Sequence, residues 1–131
     1  MATLTPNRDP EVTIIEQGEL KIDEAVITFA GTGFKDRTLT VPTGKLWVIK
    51  GFEVYQGGTA TVGTAQVLLG IGGLSTTIAA QASPAAATTY LMTYPFPLTL
   101  KAGNTLRFLF NVVADTNGNE TTRALYVELD A

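Results

Sequence analysis

Neither cysteine nor histidine occurs among the 131 residues of this chain. Without cysteine there are no disulfides and no thiolate metal sites. Without histidine the chain lacks the commonest general base and the commonest transition-metal ligand. Together the two absences exclude Ser-His-Asp, Cys-His and His-metal chemistry within the chain. Charge is also scarce, at 16% of residues, against about 25% in ordinary soluble domains. Nine Lys+Arg stand against twelve Asp+Glu, a net charge of −3, with no basic run. Binding to a phosphate backbone by counterion release needs clustered positive charge, so no direct nucleic-acid partner is expected. No stretch approaches the roughly 18 apolar residues of a membrane span, and no membrane partner is expected. The opening residues, with Pro6, Asn7, Arg8, Asp9 and Pro10, have no apolar region of the secretory kind, so cytoplasmic synthesis is expected.

What is present is a series of short strands. Residues 1–10 have no periodicity and read as an extended arm, and residues 11–131 as one β domain, long enough to bury a core without staples. Strands are predicted over residues 11–16, over 19–30 as one or two strands, and over 37–41, 46–55, 60–71 and 74–80. Further ones follow at 88–94, 97–100, 105–114 and 122–129. The turns between them are equally marked. Residues 31–35 read as a turn, and in Pro42-Thr43-Gly44-Lys45 the proline suits the first central position. Gln56-Gly57-Gly58, Gly72-Gly73 and Thr116-Asn117-Gly118-Asn119 are predicted to close hairpins, and Gly51 to mark a bulge. Residues 81–87, with Pro84, read as a loop, and Pro95 and Pro97 exclude a central strand around Phe96. This spacing predicts an all-β fold, an antiparallel β-sandwich of Greek-key or jelly-roll type.

Within residues 67–71 and 106–113 apolar side chains occupy both faces of the strand. One face fills the core, and the other needs a cover from a neighbouring subunit or a loop of the same chain. Desolvating charge is costly, so interface cores are depleted of it. The low charge therefore points to a homo-oligomer or a lattice-bound subunit; a monomer kept soluble by its many hydroxyls is the alternative.

Candidate chemistry is sparse. Gly31-Thr32-Gly33-Phe34-Lys35 approaches a phosphate-cradling loop, but it lacks the Lys-Ser/Thr pair and a following helix, and reads as an ordinary turn. Residues 115–120 carry oxygen side chains around Gly118, as a calcium loop requires, yet they are too short for an EF-hand and suit a polar hairpin tip equally. Asp23, Glu24, Glu53, Asp115, Glu120, Glu128 and Asp130 show no spacing typical of an acid/base pair. Trp47, Tyr55, Tyr90, Tyr94 and Tyr126 could stack on a sugar, and strict alternation puts Trp47 and Tyr55 on one face; aromatics in strands also pack in cores and interfaces. No catalytic residue, cofactor or metal is expected. Trp47, Ile49, Phe108, Phe110 and Tyr126 are the candidates for core or subunit contacts.

Two segments carry a resemblance. Val41-Pro42-Thr43-Gly44-Lys45-Leu46-Trp47-Val48-Ile49 and Pro97-Leu98-Thr99-Leu100-Lys101-Ala102-Gly103-Asn104-Thr105-Leu106, with Thr59-Ala60-Thr61-Val62-Gly63 between them, resemble small β-sandwich structural proteins of tailed bacteriophages, among them capsid cement or decoration proteins. The resemblance spans residues 38–130 and carries over no site residues. It implies a jelly-roll protein on the capsid surface of the virion, often a trimer, that clamps neighbouring copies of the major capsid protein. The arm, with Leu4 and Pro6, would be a tether that orders on docking. The alternative is a carbohydrate- or receptor-binding module of a phage tail fibre or baseplate. Calorimetric titration with calcium should give no heat and leave melting unchanged if residues 115–120 are a turn; saturable heat would make them a cation site.

Overall fold

In the stretch Thr105–Ala114, Leu106, Phe108, Phe110 and Val112 are buried while the residues between them are not, the period of two of a strand with one face in a core. The computed structural model describes residues 18–85, 88–90 (without side chains), 98–114 and 117–131. The strand predicted at 11–16, residues 91–94 of the one predicted at 88–94, Pro97, the arm at 1–10, and Leu4 and Pro6 within it lie outside the described residues. The described strands are β1 (Glu19–Thr28), β2 (Gly33–Thr40), β3 (Lys45–Gly58), β4 (Thr61–Ile71), β5 (Leu74–Ala82), β6 (Thr88–Tyr90), β7 (Leu98–Lys101), β8 (Thr105–Ala114) and β9 (Gly118–Asp130).

Their pairing is nested and antiparallel throughout. β1 pairs with β9, β2 with β8, β3 with both β6 and β7, and β4 with β5. The arrangement is one long hairpin whose tip is Gly72-Gly73, both at positive φ, as a two-residue hairpin turn requires. Additional pairing of β9 with β3 and of β8 with β4 rolls this ribbon up. Two sheets result. Sheet I has the order β1-β9-β3, with β6 and β7 sharing the far edge of β3, and sheet II has the order β2-β8-β4-β5. This is an antiparallel jelly-roll sandwich. Its core lies between the sheets and includes Ile49, Phe52, Val54, Val67, Leu100, Leu106, Phe108 and Phe110. Phe52 meets Phe108 edge-on, ring centroids 6.3 Å apart.

β3 is irregular at its middle. Its register against β9 shifts between Ile49 and Gly51, so a bulge occurs where Gly51 predicted one. The extra residue reverses the inside-outside parity of the strand. Trp47 and Ile49 face the core before the bulge, and Phe52, Val54 and Gln56 face it after.

Several turn assignments change. The amide of Lys45 donates to the carbonyl of Pro42 (3.1 Å), so Pro42 opens that turn and does not occupy its first central position. The turn predicted over 31–35 is shorter, because β2 already begins at Gly33. Gln81 and Ala82, predicted as loop, belong to β5. Gln56-Gly57-Gly58 and Asn117-Gly118 do not close hairpins: β3 and β4 lie in different sheets, as do β8 and β9. Each is a crossing, and the two crossings pack together, the amide of Thr59 donating to the carbonyl of Asn117 at 2.8 Å. In this nested ladder consecutive strands lie in opposite sheets except β4 and β5 at the tip and β6 and β7 beside β3, so glycine-rich links serve as corners.

At this corner a side chain has no room. A Cβ on Gly58 (φ +79°) would lie 2.3 Å from the Asn117 carbonyl oxygen and 2.6 Å from Gly118 Cα, whereas one on Gly72 (φ +59°) would meet nothing within 4 Å. Gly58→Ala should therefore cost about 3 kcal/mol or more, combining strain with a backbone clash, and Gly72→Ala only about 1–2 kcal/mol from strain alone. Urea denaturation of both variants checks this; equal losses would contradict the packed corner.

Candidate interaction surface

The sandwich is closed on its β1/β2 side by charge. Asp23 on β1 and Arg37 on β2 point inward from different sheets, and the Arg37 Nη1 donates to Asp23 Oδ1 at 2.5 Å. Arg37 Nε donates to Thr122 Oγ1 of β9 at 2.8 Å, and the guanidinium lies 5.5 Å from the centroid of the Phe108 ring. A planar guanidinium suits this place: it links the two sheets through polar atoms while its face rests on the aromatic core. One strand end further along, Glu128 accepts from Lys21 Nζ (2.9 Å) and from Trp47 Nε1 (2.8 Å). The Trp47 ring stacks on Tyr126 with centroids 4.2 Å apart. Hydrogen bonds from Lys21 and then from Trp47 hold the Glu128 carboxyl below its usual range, and the bond to Glu128 raises Lys21. Burial pushes the Tyr126 phenol upward.

The outward face of sheet I is the unusual surface. Its pairing registers stack side chains in rows across β1, β9 and β3. One row is Leu20, Val127 and Val48, the next Ile22, Leu125 and Gly51, and Leu129 lies beside Leu46. A charged row follows, in which Arg123 reaches Glu24 on one side and Glu53 on the other. The last row is Val26, Thr121 and Tyr55. Leu20 and Ile22 are each 62% exposed, whereas Val127 and Val48 on the same face are buried. The chain at Gly18 lies against this face: a Cβ there would stand 2.2 Å from Val127 Cγ1 and 2.7 Å from Leu129 Cδ2. An antiparallel sheet facing water alternates apolar inward and polar outward; here both faces are apolar over three strands.

The sequence-predicted residues divide clearly. Trp47, Ile49, Phe108, Phe110 and Tyr126 all sit in the buried core. Trp47 and Tyr55 do not share a face, because the bulge after Ile49 turns Tyr55 outward. No sugar platform joining Trp47, Tyr55 and Tyr126 therefore forms; only the backbone of Tyr90 is described, and Tyr94 lies outside the described residues. Of residues 115–120, Asp115 and Thr116 lie outside the described residues, and Glu120 is fully buried opposite Gln56. Asp23, Glu24, Glu53, Glu128 and Asp130 are each engaged in an ion pair with a lysine or arginine. Among the described residues there is no pocket and no group of three or more potential metal ligands.

The segments marked as apolar on both faces do leave apolar residues uncovered, Ile71 at 52% and Val113 at 49% exposure. Leu68 and Leu109 point outward from sheet II and are half-buried. Exposed apolar side chains also line the outward face of sheet I, at Leu20, Ile22 and Val26, which the apolar runs at 67–71 and 106–113 do not mark. Its signal was the residue sequence of β9, where Leu125, Val127 and Leu129 alternate with Ala124 and Tyr126.

No family model and no curated protein matches the chain. Among solved structures it is similar to a chain in the structure of the infectious bursal disease virus Gx strain, at 13% identity and a TM-score of 0.46, over 86% of this chain and 32% of that one. It is similar to the virus-like particle of the giant freshwater prawn Macrobrachium rosenbergii extra small virus, at 16% identity and a TM-score of 0.42, over 100% and 87% of the two chains. The Drosophila NLP core, described in terms of pentamer formation and histone binding, gives 12% identity and a TM-score of 0.42 over 83% and 98%. The chain spans about a third of the bursal-disease-virus chains it matches, 32% and 37%. At these values the likenesses assign neither family nor function.

The Glu128 carboxyl titrates below its unfolded value of 4.5. Its contribution to stability is therefore present above about pH 4.5 and lost as pH falls through the lower folded value. Glu128→Gln should flatten the acid limb of a melting-temperature profile below pH 4.5 relative to the unmodified chain. An unchanged acid limb would show that the Lys21–Glu128–Trp47 cluster is not coupled to folding.

Proposed function

We propose that the chain is a non-enzymatic virion structural protein of the cement or decoration type, made in the host cytoplasm and carried on the capsid surface. It acts as a homo-oligomer, a trimer by preference, and bridges neighbouring copies of the major capsid protein. The observation that carries this reading is the outward face of sheet I, where exposed Leu20 and Ile22 adjoin the buried valines Val48 and Val127. Covering a Leu or Ile side chain contributes roughly 1.5–3 kcal/mol, so one such face supplies modest affinity and repeated copies on a shell multiply it. A protein that binds only the assembled shell stabilises that shell by mass action and needs no chemistry. The sequence resemblance to phage capsid cement proteins supports the same reading.

Residues 1–10 form a tether in this proposal, with Leu4 and Pro6 contacting the shell, followed by a sandwich domain over 11–131. Gly18 lies against the apolar face of sheet I, so in this proposal the tether enters the domain beside that face and the two engage one partner. The carbohydrate- or receptor-binding alternative has less support, because Trp47 and Tyr126 are committed to the core.

Co-sedimentation with capsid shells that lack this protein tests the proposal. The Leu20→Asp/Ile22→Asp double variant should bind at least tenfold more weakly while melting as the unmodified chain does, and removal of residues 1–10 should weaken binding without changing the fold. Undiminished occupancy by the double variant would overturn the assignment of this face. Saturable binding on a glycan array, with no binding to shells, would favour the alternative.

A further inference from the structure

The two ends of sheet II are built differently. β2, at one end, carries Lys35, Asp36 and Arg37 in succession. Edge strands bear charge in this way because an approaching strand would have to bury it unpaired. β5, at the other end, reads Leu-Ser-Thr-Thr-Ile-Ala-Ala-Gln-Ala and has neither a charge nor a proline. Among the described residues it pairs with β4 alone, so its second edge of N–H and C=O groups has no strand beside it. Most of the strand is exposed.

This bareness extends beyond one strand. Between Glu53 and Lys101 the sequence contains no charged residue. That interval supplies β4, β5 and β6, so these strands carry no charge, and much of the charge of the described residues lies on β1, β2 and β9. Two copies of a chain with net charge −3 repel least, and desolvate least charge, when they meet across the β5 side. The bulge in the β4–β5 register opposite Val67 and Leu68 leaves Ile78 as the extra residue and divides the edge into Leu74–Thr77 and Ala79–Ala82. The first stretch has the apolar end: Leu74 is 77% exposed and its cross-strand partner Ile71 52%.

We propose that β5 is a self-association edge, at which residues 74–77 of one chain pair antiparallel with the same residues of a second copy, joining two sheets II into one. An antiparallel pairing of like strands is self-complementary, and requires from the partner only what this chain already offers. The contact is twofold and separate from sheet I, so it does not depend on the capsid reading. It would link oligomers to one another where a trimer contact cannot. Four residues bury less than a stable dimer needs, so the contact is weak in isolation and concentration-dependent.

Hydrogen exchange and sedimentation velocity across a range of concentrations test it on the full chain. The amides of residues 74–77 that point away from β4 should gain protection as concentration rises, together with a growing sedimentation coefficient. Ser75→Lys/Thr77→Lys, which places charge on exposed positions of the edge, should weaken that association at least tenfold with unchanged melting. Thr38→Lys on β2 and Leu20→Asp/Ile22→Asp on sheet I should leave the concentration-dependent protection of 74–77 intact. Exchange at 74–77 that is independent of concentration, or a Ser75→Lys/Thr77→Lys variant that associates as tightly as the unmodified chain, would overturn the proposal.

Discussion

One extra residue near Lys50 sets the terms for the rest of the sandwich. A strand alternates its side chains strictly, so a 14-residue strand can serve a core only if its apolar residues keep one parity. In β3 they do not: Trp47 and Ile49 are odd, while Phe52, Val54 and Gln56 are even. The bulge reconciles the two halves and lets the longest strand, at the centre of sheet I, face Phe108 and Phe110 along its whole length. It also decides what the outside of that sheet looks like. Leu46 and Val48 before the bulge, and Glu53 and Tyr55 after it, are turned away from the core together.

That outward set explains why charge is so unevenly used. Where sheet I turns polar, Arg123 is held between Glu24 and Glu53, and where the two sheets part at β1 and β2, Arg37 and Asp23 close the gap. Charges are thus placed where they pair across strands or seal the open side. The remaining surfaces, the aliphatic rows of sheet I and the β5 edge, are left without them. A protein that works alone in water seldom combines an apolar sheet face with a bare sheet edge. In a subunit that works within an assembly the same features are what contacts are made from.

Much of the fold was legible in the sequence, because local letters and burial agree there. β8 runs over the residues its apolar pattern marked, Gly72-Gly73 closes the hairpin its letters suit, and Gly51 adjoins a bulge. Other features depend on which strand lies beside which, and no local pattern encodes that. Asn117-Gly118 and Gln56-Gly57-Gly58 have the chemistry of hairpin turns, yet the ribbon folds over itself at those points and the glycines make room for another backbone. The separation of Trp47 from Tyr55 reads as one face only if the strand is regular. The apolar rows of sheet I were visible as letters in β1, β9 and β3, but only the registers show that Leu20, Val127 and Val48 adjoin.

The nesting of the strands has a kinetic side. β4 and β5 are joined by two residues, whereas β1 and β9 bring Glu19 beside Glu128 across almost the whole chain. Closing a long loop before any contact rewards it slows folding, so the tip of the ribbon is the natural place for order to begin and the β1–β9 pair the natural place for it to finish. On this ordering the segment favoured to form first is the one without charge. A chain refolding in that order would expose a bare hairpin before the β1–β9 pair closes, and crowded, partly folded chains would meet there first.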